Sequence, residues 1–428
     1  MEIPKTILKE YDIRGVYPNE INKSVAFEVA YNIGRKIGKK KVFVGHDNRY
    51  GSIAIKNQVV NGLASAGNKV IDVGLEPIMI PLFASYINKS YGICITASHN
   101  PAEYTGILIY EEGKTVMPSD ALISTFGKDD RKRKSTGVVK SDYESRYLDY
   151  ITKNIGPIRL RIGIDSMGGS TTTIANKVFK KVGASIKMLH KKPSSNFYGK
   201  VPEPTKANIV DLANMVKSEN LDFGIELDAD GDRVAFVDED GRFIDPMVIA
   251  MILIKYRRYE RIIATVSCSQ RLERYARVKY TRVGRPFIES KLGKDYKFGV
   301  ETSSHFYFGE FYPFSDGLLG AVLVADILNK SKKKMSELVE EFPQILYGSK
   351  NIKFKTEGER EEVLLSIEKK SKKFGKINKM DGIKVIMKDG FMLFRKSNTE
   401  PILRAYYEGL NKKRFEEISS IVNNLIGR

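Results

Sequence analysis

The chain has 428 residues, 42% apolar and 29% charged, a balance that argues against disordered and fibrous classes. At roughly 150 residues per domain it should hold about three domains, with two to four admitted. The formal net charge of +19, from 71 Lys and Arg against 52 Asp and Glu, calls for an anionic partner: nucleic acid, an anionic surface or an anionic small molecule.

No run of about 18 uncharged apolar residues is present, and the N-terminus lacks the apolar core of a signal peptide, so no membrane association is expected and the expected location is the cytoplasm. Cys94 and Cys268 lie far apart without metal-ligand spacing, which fits a reducing compartment and offers no convincing nucleophile. The positive charge is spread, with local concentrations at 131–134, 330–334 and 369–373. None is interleaved with aromatic residues, which argues against a nucleic-acid platform.

In chain order, a short β-rich run, a small or polar loop and an amphipathic helix recur three times. The runs are K-V-F-V-G-H-D-N-R-Y-G-S from Lys41, R-I-G-I-D-S-M-G-G-S from Arg161 and R-I-I-A-T-V-S-C-S-Q from Arg261. After the second, Ile174, Val178, Phe179 and Val182 fall at helical spacing. Three related α/β units with largely parallel sheets are expected, with ligands beyond the carboxyl ends of the strands. Ser98 follows one strand (91–96), and a carboxylate cluster follows another (221–228). The last eighty residues differ: a helix at 359–374, a hairpin from Val385 turned on Asp389-Gly390, and a helix at 412–426. Boundaries at 152, 250 and 346 give domains 1–152, 153–250, 251–346 and 347–428, the last a smaller α+β domain.

Four constellations carry chemistry. Asp228, Asp230 and Asp232 alternate in E-L-D-A-D-G-D-R, and convergent carboxylates demand a hard cation such as Mg2+. Glu239 falls at the twelfth position of an EF-hand, but that loop's sixth-position glycine is Arg233 here, and the flanks read as strands. A solvated acidic turn is the plainer alternative. Arg233, beside the triad, would hold a phosphate against a metal. Ser98, with His99 and Asn100, reads either as a reactive hydroxyl or as the N-cap of a following helix; His99 reads as a ligand or phosphate contact. Arg395, Ser397, Asn398, Thr399 and Arg404 offer donors in one loop, suited to a phosphate or to an ordinary polar turn. Glu301, Ser303 and His305 alternate and could bond vicinal hydroxyls, or lie on a solvent-facing strand.

Y-D-I-R-G from Tyr11, T-A-S-H-N-P from Thr96, D-A-D-G-D-R from Asp228, E-T-S-S-H from Glu301 and R-K-S-N-T-E-P-I-L-R from Arg395 together resemble the α-D-phosphohexomutase superfamily, in its order and across essentially the whole chain. The opening Y-D-I-R-G is more similar to the phosphomannomutase/phosphoglucomutase branch than to phosphoglucosamine mutases. The resemblance implies three similar α/β domains and a smaller α+β domain around a cationic cleft. It implies Ser98 as a phosphoserine, Mg2+ held by that group with Asp228, Asp230 and Asp232, and a hexose 1,6-bisphosphate as intermediate and activator. Catalysis would draw on Ser98, Arg14, His99 and Arg233, and sugar-phosphate binding on Tyr11, Arg285, Lys291, Glu301, Ser303, His305 and the five residues of the last loop. A monomer or homodimer acting on a small sugar phosphate is expected.

Three departures stand out. The family's N-G-x-K after T-A-S-H-N-P, whose lysine is a candidate for proton transfer, is T-G-I-L here, ending at Leu108, which can neither move a proton nor hold an anion. The usual G-H of the sugar loop is Ser304-His305, and Arg285 stands where some relatives have a histidine. Arg14 is the favoured substitute for the lysine, with Arg285, Lys291 and Lys114 as alternatives. A phosphohexomutase is the leading reading, followed by a sugar-phosphate-binding homologue with weak or shifted activity, motivated by Leu108 and Ser304, and then by a polyanion-binding protein on the same fold.

Overall fold

The structure, a computed structural model, describes residues 3–121, 138–396 and 402–427. Its strands form four sheets that follow one another along the chain. The first holds β1 (Ile13–Val16), β2 (Lys41–His46), β3 (Lys69–Leu75), β4 (Tyr91–Ile95), β5 (Tyr104–Glu111), β6 (Lys114–Thr115) and β7 (Val138–Lys140), ordered β1-β5-β4-β2-β3-β7 with β6 on β5. The second holds β8 (Arg161–Asp165), β9 (Ser185–Met188), β10 (Phe223–Leu227), β11 (Val234–Asp238) and β12 (Phe243–Ile244), ordered β12-β11-β10-β8-β9. The third holds β13 (Arg261–Thr265), β14 (Arg277–Thr281), β15 (Phe298–Val300) and β16 (Phe306–Phe308), ordered β14-β13-β15-β16.

One pattern runs through these three sheets. Two neighbouring parallel strands are joined by a third parallel strand, which then turns back as an antiparallel hairpin: β4 into β5, β10 into β11, β15 into β16. Ser98, the aspartate triad and Glu301 to His305 each occupy that hairpin turn in their own sheet. The inner parallel strands are buried on both faces, as runs such as Val42-Phe43-Val44 and Ile162 to Ile164 require, whereas the edge strands β7, β9 and β14 keep exposed residues.

The repeated units are less uniform than expected after their first strands. β2 leads into the helix Ser52–Ser65, and β8 into a 3-10 turn and the helix Ala175–Lys181, on which Ala175, Val178 and Phe179 are buried. β13 leads only into a 3-10 turn, Gln270–Arg274, opened by Ser269, whose hydroxyl accepts from Arg271 N. Residue 250, the expected second boundary, lies inside the helix Pro246–Arg257, which Asp245 caps by accepting from Met247 N at 2.8 Å. That helix packs on Gly317–Ser331 and Met335–Glu340 of the third unit, so the joint falls before it.

The fourth sheet is wholly antiparallel: β17 (Leu346–Lys353), β18 (Lys376–Asn378), β19 (Ile383–Met387), β20 (Gly390–Lys396) and β21 (Ile402–Gly409), ordered β17-β21-β20-β19-β18. The helices Glu357–Ser371 and Lys412–Leu425 accompany it, and the expected hairpin forms one residue earlier than Asp389-Gly390: Lys388-Asp389 make the turn, and Gly390 already opens β20 opposite Met387. One apolar core runs through the first three units, from Phe43 and Phe83 through Ile162 and Phe223 to Phe298 and Leu323, and the first unit has a second around Ile33, Val59 and Ile95. The fourth has its own core around Ile367, Val385, Phe394 and Val422. It meets the third through Val266, Phe391 and Leu393, and through Lys384, whose ammonium donates to Val266 O at 2.7 Å and lies 4.1 Å from the Phe391 ring centroid. Burial lowers that lysine to about 8. No helix among the described residues is long and apolar enough to cross a membrane.

Candidate active site

The serine turn is built before any ligand arrives. No helix follows Ser98: the chain turns and returns as β5, so the N-cap alternative does not hold. Ser98 is buried and has φ +47, the left-handed region that a non-glycine residue occupies at a cost of about 1–2 kcal/mol. A buried guanidinium holds it there. Arg49 donates to the carbonyl oxygens of Ser98, Asn100 (2.9 Å) and Pro101 (2.7 Å), and its Nε pairs with Asp47 at 3.0 Å. Arg14 grips the turn from β1, donating to Ala97 O at 3.2 Å and Asn100 Oδ1 at 2.5 Å while paired with Asp12 at 2.6 Å. With every neighbour fixed, the Ser98 hydroxyl donates to Asp228 Oδ2 at 3.0 Å.

Asp228, Asp230 and Asp232 are fully buried and offer oxygens that all lie within 4.8 Å of one another. Gly231, at φ +86, lets the turn close so that Gly231 N and Arg233 N both donate to Asp228 Oδ1, at 2.9 and 3.2 Å. Neighbouring units and the turn's own unit pin the backbone: Ile78 N of the first donates to Asp230 O at 3.0 Å, Ser315 Oγ of the third to Asp232 O at 2.7 Å, and Ser170 N of the second to Ala229 O at 2.8 Å. Thr96 Oγ1 donates to Asp230 Oδ2 at 3.0 Å, tying the serine turn to the metal turn.

Charge in this turn is not settled by protein groups alone. Burial, then Asp232 and Asp230, push Asp228 well above the usual carboxylate range, and burial with Asp232 lifts Asp230 to about 6. Burial would raise Asp232 too, but His305, Arg285 and Arg233 overcome it and hold that group far down. Asp230 Oδ1 is buried without a hydrogen-bond partner. An unpartnered oxygen within a hard, all-oxygen acidic set fits a small divalent cation. The EF-hand alternative fails on geometry: strands β10 and β11 flank the turn, and Glu239, at the far end of β11, accepts from Ser336 N at 3.1 Å.

Arg233 joins three units. Its guanidinium pairs with Glu203 at 2.9 Å, donates to His99 Nδ1 at 2.9 Å and lies 3.3 Å from His305 Nε2. Its charge, with burial, drives the His99 imidazole well below its ordinary value, so His99 is a neutral side chain here. His305 Nδ1 meets Ser303 Oγ at 2.8 Å and its Nε2 lies 3.4 Å from Asp232 Oδ1. Glu301 to His305 form the β15–β16 turn rather than a strand face, and Glu301 accepts from Tyr307 OH at 2.6 Å and Gly284 N at 3.3 Å. Ser304 takes φ +66, the conformation the family's glycine would adopt freely.

The proposed substitutes for the absent lysine separate cleanly. Lys114 is exposed, and Lys291 Nζ donates to Phe287 O at 3.1 Å. Arg14 is committed to the serine turn. Arg285 reaches the metal turn, 3.3 Å from Asp232 Oδ2. Tyr11 sits at the joint between first and third units: its hydroxyl donates to Val283 O at 3.2 Å, and its ring lies so close to Gly284 (φ +132) that a Cβ there would fall 2.8 Å from it.

In the fourth unit Arg395 and Arg404 are directly opposed on β20 and β21. Like charges so placed repel unless an anion lies between them. Arg395 also pairs with Asp381 at 2.7 Å, and Asp381 accepts from Val283 N at 2.9 Å, fastening this edge to the third unit. Ser397, Asn398 and Thr399, and the basic cluster at 131–134, lie outside the described residues. Sequence reasoning missed Arg49, Asp47, Thr96 and Glu203. The first two were visible only as D-N-R in the loop after β2, a charged pair in the place where ligand-side loops were expected.

Four family models match in series: phosphoglucomutase/phosphomannomutase alpha/beta/alpha domain I at residues 5–131, domain II at 145–241, domain III at 245–346 and the C-terminal domain at 351–425. The chain is 28% identical to a phosphomannomutase of Methanocaldococcus jannaschii, over 99% of this chain and 98% of that one. It is 29% identical to a phosphomannomutase/phosphoglucomutase of Pseudomonas aeruginosa, over 99% and 96%. In fold it is similar to a crystal structure of a phosphoglucomutase/phosphomannomutase family protein from Burkholderia thailandensis, with a TM-score of 0.88 at 24% identity, covering 99% of this chain and 98% of that one.

Proposed function

Since the chain belongs to the phosphoglucomutase/phosphomannomutase family and is a phosphohexomutase, we propose that it moves phosphate between the 1- and 6-oxygens of mannose or glucose through a phosphorylated Ser98. The observation that carries this reading is the Ser98 hydroxyl donating at 3.0 Å to Asp228, a member of the acidic triad. Asp228, Asp230 and Asp232, with the serine phosphate, would hold Mg2+. Bound there, the ion would neutralise the oxygens of the transferring phosphoryl group.

The rest falls to the chain's own residues. The bond from phosphorus to Ser98 Oγ breaks as one forms to the sugar's free hydroxyl, and the proton of that hydroxyl ends on Oγ. The bisphosphate then turns in the cleft and returns its other phosphate to Ser98. Arg49 and Arg14 keep the serine in line for transfer, and Arg233 meets the phosphoryl oxygens. Glu301, Ser303 and His305 would bond the sugar hydroxyls. Arg395 and Arg404, with Ser397, Asn398 and Thr399, would grip the phosphate that is not reacting, with Lys291 and Tyr11 at the cleft between the units. The two cysteines, both buried and free, suit a reducing cytoplasm.

The test is purified protein with Mg2+, glucose 1-phosphate or mannose 1-phosphate and a trace of glucose 1,6-bisphosphate, coupled to detection of the 6-phosphate. Intact mass should carry one added phosphate that Ser98→Ala lacks, and Ser98→Ala should lose turnover. Unchanged turnover in Ser98→Ala overturns the phosphoserine assignment. Binding of sugar phosphate without turnover would point to the binding homologue that Leu108 suggests.

A further inference from the structure

Leu108 is 1% exposed, packed in the shared core beside its β4 partner Cys94. Two residues on, along the same face of β5, the hydroxyl of Tyr110 accepts from Arg285 Nη1 at 3.2 Å. The same nitrogen is 3.3 Å from Asp232 Oδ2, and Nη2 lies 3.9 Å from Asp12 Oδ2. A single guanidinium from the third unit thus meets the first unit at β5 and the second at the metal turn. Arg285 is partly buried, its side chain 11% exposed, and is held above its ordinary value: burial opposes the charge, but Tyr110, Asp232, Asp12 and Glu289 outweigh it.

Its position has a visible cause. Arg285 opens the short helix Arg285–Glu289, and Glu289, one turn later on the same side, is 1% exposed. Glu289 Oε2 accepts from Thr115 N of β6 at 2.7 Å, while its Oε1 is buried without a hydrogen-bond partner. The carboxyl therefore fastens the helix to the first unit at the edge of the strand that carries Leu108 and Tyr110. Burial raises Glu289 to about 7, with Arg285 pulling the other way.

We propose that Arg285, positioned by Glu289, supplies from the third unit the positive charge that β5 does not carry at Leu108, at the border of the aspartate triad. This deepens the phosphohexomutase reading and rests on it. A permanently charged guanidinium cannot take a proton from the sugar, so its contribution is to hold Asp232 and to offset negative charge as the phosphoryl group transfers. Nη1 alone meets both Tyr110 and Asp232 while Nη2 lies 3.9 Å from Asp12 Oδ2, so the planar fork faces three groups from two nitrogens.

The test is kinetic, on the full chain with Mg2+, glucose 1-phosphate and trace glucose 1,6-bisphosphate. Wild type without turnover refutes the function reading and not this one. Given turnover, Arg285→Gln keeps hydrogen-bond donors but loses the charge, and kcat should fall by about 10²-fold or more with KM changed by less than about threefold. Arg285→Lys should fall less than Arg285→Gln. Leu108→Lys alone should leave kcat within about twofold, yet in the Arg285→Gln background it should restore about tenfold. Glu289→Ala should lower kcat by about tenfold, and Glu289→Gln, which still accepts from Thr115 N, should retain most of it. Arg285→Gln within threefold of wild type overturns the proposal, as does equal loss in Arg285→Gln and Arg285→Lys. If Leu108→Lys fails to fold, that Gln and Lys pair decides alone.

Discussion

The serine turn and the metal turn occupy the same place in the same strand pattern, yet they are held by opposite means. Between β4 and β5, the turn is clamped by cations: Arg49 on three carbonyl oxygens and Arg14 on two further groups. Between β10 and β11, the backbone is pinned by neutral donors from other units, and three buried carboxylates face one another with one oxygen each of Asp230 and Asp232 lacking a hydrogen-bond partner. The first turn spends positive charge to fix a strained serine. The second leaves negative charge unbalanced, which is what a cation site requires, and so is expected to be less stable alone than it could be.

The largest expected effect breaks the comparison on the metal side. Asp230→Asn should lower kcat by about 10²-fold or more. The same substitution should raise the stability of metal-free protein by about 1 kcal/mol or more at pH 7, because a carboxylate shifted to about 6 by burial and by Asp232 is no longer forced to ionise there. Adding Mg2+ should raise the melting temperature of wild type and move that of Asp230→Asn far less. A metal-free variant less stable than wild type would show the triad to be a structural network instead.

Arg49→Met is the counterpart on the serine side, and its sign is opposite. Asp47 would be left buried without its cation, and the carbonyls of Ser98, Asn100 and Pro101 without their donor, at a cost of about 3–5 kcal/mol. Urea unfolding should begin at lower denaturant, and turnover should fall together with phosphorylation of Ser98 measured by intact mass. Normal stability with lost turnover would mean that Arg49 acts on substrate rather than on the turn.

The two turns also differ in how far sequence alone exposes them. Three alternating aspartates and S-H-N-P carry their chemistry in neighbouring residues, so both stood out in the sequence as candidates, the one for a cation site and the other for a reactive serine. The path of the chain after Ser98 was not. β5 is buried on both faces, so 104–111 shows no polar alternation to separate strand from helix, and the N-cap alternative could not be dismissed. The strand that opens the third unit was legible from R-I-I-A-T, but its expected helix shrinks to a 3-10 turn. Arg49, Glu203 and Arg285 act across 49, 30 and 53 residues, and such contacts leave no local spacing to read. Arg14 was favoured to replace the missing lysine, yet Asn100 and Asp12 already occupy it.

A smaller effect lies where the two units meet. Glu76 stands two residues before Ile78, whose N–H holds the metal turn through Asp230 O, and burial followed by the nearby Glu144 raises its carboxyl to about 8. A folded-state value above the unfolded one means that stability is fully present below about 4.5 and is lost as pH rises through about 8. Wild type should therefore lose melting temperature between pH 5 and 9 relative to Glu76→Gln, in which the group cannot ionise. Parallel curves for the two proteins would place Glu76 in water rather than at the joint.

The smallest expected effect concerns the third equivalent turn, where Ser304 holds φ +66 against its own preference. A left-handed non-glycine residue costs about 1 kcal/mol, and glycine would remove that cost while adding backbone freedom to the unfolded chain worth about 0.4–1 kcal/mol. Ser304→Gly should therefore change stability by less than about 0.5 kcal/mol in either direction. Its kcat should stay within about threefold of wild type. What sets the turn is the long-range bond from Val234 N to Ser304 O at 3.3 Å, which fixes the carbonyl from the strand that leaves the metal turn. A gain of tenfold or more in kcat/KM for Ser304→Gly would show the opposite: that the serine restrains the approach of the sugar, and that this third turn, unlike the other two, is held away from its best geometry.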